Sequence, residues 1–194
     1  MNNLNTIDNI LNELATLYIP VKEAYILLEE SNPDQSAYMG PINEFRNALD
    51  HIMKIIYNKD EEEFNKAKSH LLRAGCDSYE FACSEMIIFI EGLMRQYTAE
   101  EIVSVLPNYF EMRVKVIEIQ EKIAEYREIK EEKVFNYYRE TISELLKYKK
   151  AILNKLPFLI ELHKKNTKAK NISLFIGIAG AIIGIAGIII ALLK

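Results

Sequence analysis

The stretch that most constrains this chain lies just before Lys194. Ile172 to Leu193 reads ISLFIGIAGAIIGIAGIIIALL: 22 residues, no ionisable side chain, thirteen of them Ile, Leu or Phe. As an α-helix it would be about 33 Å long, enough to cross a hydrocarbon core of roughly 30 Å. Each of those large apolar residues favours insertion by roughly 0.3–0.6 kcal/mol at the bilayer centre. A helix that is apolar on every side has no face to give to water. The sequence therefore predicts one transmembrane helix over 172–193.

The small residues inside that stretch are regularly placed. Ser173, Gly177, Gly180, Gly184, Gly187 and Ala191 are spaced 4, 3, 4, 3, 4, a seam down one side of a helix. Gly180 and Gly184 also form the Gly-x-x-x-Gly spacing that lets two backbones approach closely. Each Gly lowers helix propensity by about 1 kcal/mol relative to Ala, a cost that tight helix–helix packing recovers. The seam predicts self-association; the plainer alternative is that glycine is common in membrane helices. Beyond Ser173 no polar side chain is present to line an aqueous pore.

Orientation follows from the flanks. Lys164, Lys165, Lys168 and Lys170 precede the stretch and only Lys194 follows it. An excess of lysine on one side marks the cytoplasmic side. Met1 to Asn12 has neither the basic start nor the apolar core of a secretory leader. The expected protein is single-pass, anchored by its tail in the inner (cytoplasmic) membrane, with the N-terminal 170 residues in the cytoplasm and the C-terminus outside.

Composition narrows the fold. Of the seven glycines four lie in the apolar stretch, leaving few helix breakers elsewhere, and the chain reads as all-α. The net charge of −4 hides an asymmetry: residues 130–170 hold eleven Lys or Arg against five Asp or Glu, and residues 1–129 twelve against twenty-three. A basic segment beside a membrane attracts anionic headgroups by about 1 kcal/mol per close cation. Ordinary positive-inside bias explains the same lysines equally well. The acidic remainder argues against broad nucleic-acid binding, which needs a basic surface. Cys76 and Cys83, with three His in the whole chain, make no zinc signature and read as buried small apolar residues. No cofactor or metal is expected.

Apolar periodicity predicts the helices in order. Leu4, Ile7, Ile10, Leu11, Leu14, Leu17 and Tyr18 define the first, which Pro20 should kink or restart before it ends near Glu30. Ser31 to Pro41 reads as a loop. A second helix covers Ile42 to Tyr57, with Phe45, Leu49, Ile52, Met53 and Ile56 on one face. Asp60 is the expected N-cap of a third helix, which meets Gly75 and gives way to a new or bent helix from Ser78 to Gln96. Thr98 and Glu101 form a capping box, and Pro107 marks a break. From Asn108 to Leu156 there is neither Gly nor Pro, an expected helical run of about 49 residues that serves as a stalk, a coiled-coil arm or a long bundle helix. Pro157 should kink a last helix leading into the membrane. The expected divisions are an N-terminal helical domain over 1–106, a long helix and basic juxtamembrane segment over 107–171, and the span over 172–193.

One motif carries catalytic-looking chemistry: Arg46-Asn47-Ala48-Leu49-Asp50-His51. Histidine shuttles protons near neutral pH and arginine binds a phosphate oxyanion. The six residues resemble the Arg-x4–6-His element of HEPN-type ribonucleases, and that resemblance implies RNA cleavage with Arg46, Asn47 and His51 in the active site. Two other readings use the same residues. Arg46, Asp50 and His51 can share a polar network with His70, Arg73 and Asp77 that fixes helix register. Alternatively Arg46, His51, His70 and Arg73 bind an anionic ligand such as a nucleotide signal.

The plan of a compact helical domain on a glycine-seamed span is similar to small membrane effectors of bacterial anti-phage systems of the CBASS and Hailong types. The resemblance is one of architecture. It implies a homo-oligomer whose cytosolic part receives a nucleotide-type signal or a partner protein and whose spans disrupt or open the membrane. The competing expectations are a membrane-tethered HEPN-like ribonuclease and a non-enzymatic scaffold that recruits a partner.

Overall fold

In the computed structural model the described residues are 2–31 and 37–192, with side chains described over 7–31 and 37–173. They form six α-helices and no strand: α1 (Asn2–Ser31), α2 (Met39–Asn58), α3 (Glu63–Gln96), α4 (Ala99–Val105), α5 (Tyr109–Tyr126) and α6 (Glu132–Leu192). The all-α class read from composition holds.

Helix α3 is the axis on which α1, α2 and α6 pack. Its buried side is lined with small residues, Ala67, Ala74, Gly75, Cys76, Ala82 and Cys83, which let neighbouring helices come close. Around it the larger core cluster joins Val21, Ala24 and Leu28 of α1 to Met86 and Ile90 of α3 and to Val134, Tyr138, Leu145, Ile152 and Leu159 of α6. A smaller cluster holds Ile7, Leu14, Ala48, Ile55, Ala67 and Leu71. Each fully buried Leu or Ile contributes about 1.5–3 kcal/mol of transfer free energy, so these clusters, rather than helix propensity, hold the bundle.

Several expectations change. Helix α3 runs through Gly75 without ending. A Cβ at Gly75 would stand 2.5 Å from Cε2 of Phe135 and 3.0 Å from Cγ2 of Val21, so the glycine makes room for α6 and α1 instead of breaking a helix. Pro20 and Pro157 likewise lie inside α1 and α6. Asp60 does not cap α3 itself: its Oδ1 accepts the Glu62 N–H at 3.1 Å in the turn leading into the helix. Before that turn Lys59 closes α2 in the left-handed region, at φ 59°. The capping box of α4 forms as expected, with Thr98 and Glu101 bonded reciprocally.

The long run after Pro107 is not one helix. It divides at residues 127–131 into α5 and α6, and of the three forms open to it the structure has bundle helices. No Gly or Pro makes this turn. Ile129 N–H bonds to the Tyr126 carbonyl at 2.9 Å, and Glu131 O accepts from Val134 and Phe135. Lys130 then reaches Asp77 at 2.7 Å and Glu80 at 3.1 Å, while Arg127 reaches Glu80 at 2.8 Å. These ion pairs dock the turn on α3, and beyond it the Tyr126 and Tyr137 rings meet at 5.2 Å.

The apolar face of α2 is rotated in part from expectation: Phe45 and Ile52 pack against the core, and the other three members do not. Ala48 and Ile55 are buried, whereas Leu49, Met53 and Ile56 stay 57%, 51% and 41% exposed.

Among the described residues no helix is long and apolar enough to cross a membrane. The expected span lies outside the described side chains from Leu174 onward. Of its seam only Ser173 falls within them, exposed; Gly177, Gly180, Gly184, Gly187 and Ala191 lie outside.

Candidate functional site

Two polar centres stand out, one at the α2–α3 hairpin and one where α4 meets α6. In the first, His51 of α2 sets its Nδ1 against Oε2 of Glu63, at the start of α3. Glu63 is nearly buried, and its other oxygen accepts from Lys66 Nζ at 2.5 Å. The Lys66 ammonium, and after it His51, hold the Glu63 carboxyl at about 2, well below the ordinary carboxylate range. Further along the hairpin His70 Nδ1 lies 2.6 Å from Oε2 of Glu44. The two imidazoles stack, with centroids 5.2 Å apart and planes 11° from parallel.

Of the four ligand-binding candidates, then, His51 and His70 come together and Arg46 and Arg73 do not join them. Both arginines are exposed and make no ion pair among the described residues. The geometry is simple: five residues along a helix is a rotation of about 140°, so Arg46 and His51 leave α2 on different sides. Asn47 is half-buried between them. Asp50 and Asp77, expected in a shared network, pair elsewhere, with Lys54 at 2.7 Å and with Lys130 at 2.7 Å. What remains is two histidine–carboxylate pairs in register. Each ring is engaged through Nδ1, and its orientation is fixed by its carboxylate.

The second centre is built on Glu101, whose sequence context announces only the cap of α4. Glu101, 4% exposed, closes the capping box of α4: its Oε2 accepts the Thr98 N–H at 3.0 Å. The same oxygen lies 3.0 Å from His163 Nδ1 on α6, and Oε1 accepts from Asn166 Nδ2 at 3.0 Å. Tyr97 meets the His163 ring edge-on at 5.3 Å. His163, with the Thr98 N–H next, holds this carboxyl at about 2. One side chain therefore both caps α4 and fastens it to α6. The signal was the His163-x-x-Asn166 spacing, three residues apart on a helix and next to the lysine run.

Lys164, Lys165, Lys168 and Lys170 follow at once, all exposed and without ion-pair partners among the described residues. Cys76 and Cys83 are free and buried; burial pushes the Cys76 thiol up to about 12 and Cys83 higher still, so neither is a nucleophile at neutral pH. Among the described residues no three His, Cys, Asp or Glu side chains converge as metal ligands.

No protein-family model matches the chain, and neither a curated protein nor a solved structure matches it.

Proposed function

We propose that this chain is an oligomeric, membrane-anchored effector whose cytosolic helical bundle controls its terminal membrane helix, acting as a channel-like or membrane-disrupting protein. The observation that carries this reading is α6. One helix, Glu132–Leu192, supplies Val134, Tyr138, Leu145, Ile152 and Leu159 to the bundle core and continues into the uncharged stretch from Ile172. A helix packed at one end and inserted at the other passes any displacement of the bundle to the lipid. Glu101 holds α6 at its last bundle turn, Lys164, Lys165, Lys168 and Lys170 sit at headgroup level, and the glycine seam faces a second copy. The bundle receives a nucleotide-type signal or a partner protein, and the setting, by resemblance of architecture, is bacterial anti-phage defence.

The test compares the full-length chain with a Gly180→Ile, Gly184→Ile double variant at equal membrane abundance, using a potential-sensitive dye in cells. Depolarisation by the parent and not by the variant is expected. Equal depolarisation with unchanged assembly would overturn the role of the seam.

A second reading is favoured by one observation: His51 is held on a carboxylate while Arg46 of the same motif is exposed and unpaired. On that reading the chain is a membrane-tethered ribonuclease whose site forms between two copies, because Arg46 and His51 leave one α2 on different sides: His51 of one copy moves the proton and Arg46 of the other binds phosphate, with Asn47 beside it. RNA cleavage by the full-length protein, lost on Arg46→Ala or His51→Ala with folding retained, would establish it. With neither leakage nor cleavage, the chain is a scaffold that brings a partner to the membrane.

A further inference from the structure

Past Leu159, α6 carries an open hollow of about 570 Å³ lined by His163, Lys164, Thr167, Lys168, Asn171 and Ile172. Two residues from each of three successive turns put these side chains on one side of the helix. Glu101 sets which side this is. His163 Nδ1 and Asn166 Nδ2 both lie 3.0 Å from its oxygens and fix the rotation of α6 there.

The hollow sorts the lysine run. Lys164 and Lys168 line it one turn apart, whereas Lys165 and Lys170 leave the helix about 110° to either side of its centre. Beside the two lining lysines stand two uncharged donors, the Thr167 hydroxyl and the Asn171 amide; all four side chains are exposed and unbonded among the described residues. No carboxylate among the described residues lines the hollow. Glu101 is committed to Thr98, His163 and Asn166, and Glu161, one turn back, is exposed and pairs with neither lysine. Two ammonium groups, a hydroxyl and an amide N–H are donors suited to a phosphate. The far end is different: Ile172, 52% exposed, closes the hollow and opens the uncharged stretch. A ligand lying along this side meets cations first and hydrocarbon last, which describes an amphiphile with a phosphate head. Distances along the helix agree. Lys168 is about 6 Å and Lys164 about 12 Å before Ile172, against a headgroup layer of roughly 5–7 Å on each side of the hydrocarbon. Lys168 stands inside that layer, and the Lys164 stem is long enough to lean into it.

We infer that this side of α6 is a binding site for the phosphate ester of an anionic membrane lipid, held by Lys164, Thr167, Lys168 and Asn171 with its acyl chain against Ile172. The site rests on the membrane reading and goes beyond it. Two of the four lysines and two uncharged residues form it, where a diffuse positive field would use all four lysines and neither Thr167 nor Asn171.

The test reconstitutes the full-length protein in phosphatidylcholine vesicles. Electron spin resonance then measures how strongly spin-labelled phosphatidylglycerol is immobilised relative to spin-labelled phosphatidylcholine. The parent should prefer phosphatidylglycerol. A Lys164→Gln, Lys168→Gln variant should lose the preference, a Thr167→Val, Asn171→Ala variant should about halve it, and a Lys165→Gln, Lys170→Gln variant should keep it. All six side chains are exposed, so the bundle folds in each variant. Equal losses in the two lysine variants, or no loss in the Thr167→Val, Asn171→Ala variant, would overturn the site and leave a diffuse field. Immobilisation of neither lipid would overturn the membrane reading and the site with it. A last arm adds inorganic phosphate to the protein in a neutral detergent and follows the phosphorus resonance. No broadening that depends on Lys164 and Lys168 is expected; such broadening would overturn the lipid assignment in favour of a soluble phosphate.

Discussion

A methyl group added at Gly75 would run into the Phe135 ring and the Val21 methyl. Neither can swing aside into solvent, because Phe135 is 2% and Val21 0% exposed. Gly75→Ala gains up to about 1 kcal/mol in helix propensity but incurs an overpacking cost of roughly 1–3 kcal/mol. We expect a net loss of about 1–2 kcal/mol in urea unfolding of the purified chain; a raised midpoint would show that the contact relaxes freely. Gly75 reads as a breaker in sequence because its partner, Phe135, is 60 residues away and no local pattern announces it. The Thr98–Glu101 box, by contrast, was legible because its two members are three residues apart. The same limit of range explains why Glu101 was recognised as a cap and not as the acceptor for His163 and Asn166.

The helices themselves were legible from apolar periodicity, and the turn between α5 and α6 was not. That turn is written in ion pairs, whose partners sit on another helix. Lys130 is the member that matters: its side chain is 20% exposed and lies between Asp77 and Glu80. Lys130→Ala removes the cation that Asp77 and Glu80 share and leaves Asp77 without one, a loss of about 1–3 kcal/mol. Arg127→Ala, at a side chain 61% exposed, should cost under about 1 kcal/mol in the same urea titration. Equal losses at both positions would show that the turn is held by its apolar neighbours. The rotation of α2 was hidden for a related reason. Leu49, Met53 and Ile56 fit a core-facing stripe as well as Ala48 and Ile55 do, and only the packing of α3 chooses between them.

For the molecule as a whole, two carboxylates tie helices together and both are held at about 2, against an ordinary 4.5. The sign follows from linkage: a carboxyl depressed by folding contributes stability above its unfolded value, and that contribution is lost as the pH falls from about 4.5 towards 2. Thermal melting of the full-length chain in detergent should therefore weaken over this window. A Glu63→Gln, Glu101→Gln double variant should start less stable at pH 7 and show a shallower acid loss. An acid loss as steep as the parent's would assign the effect to other carboxylates. Of the candidate site, the residue types were legible in sequence but their grouping was not: His51 and His70 converge, the arginines stay exposed, and His163 joins Glu101 in a cluster apart from the Arg46–His51 motif.

The core ends at Leu159, yet α6 continues through a lysine-rich, exposed segment. Everything that the packed interior needs is thus complete before Lys168. Limited trypsin digestion after Lys168 or Lys170 should shed the terminal rod and release a fragment that keeps its tertiary near-ultraviolet signal, so the two ends of one continuous helix can be parted without cost to the fold.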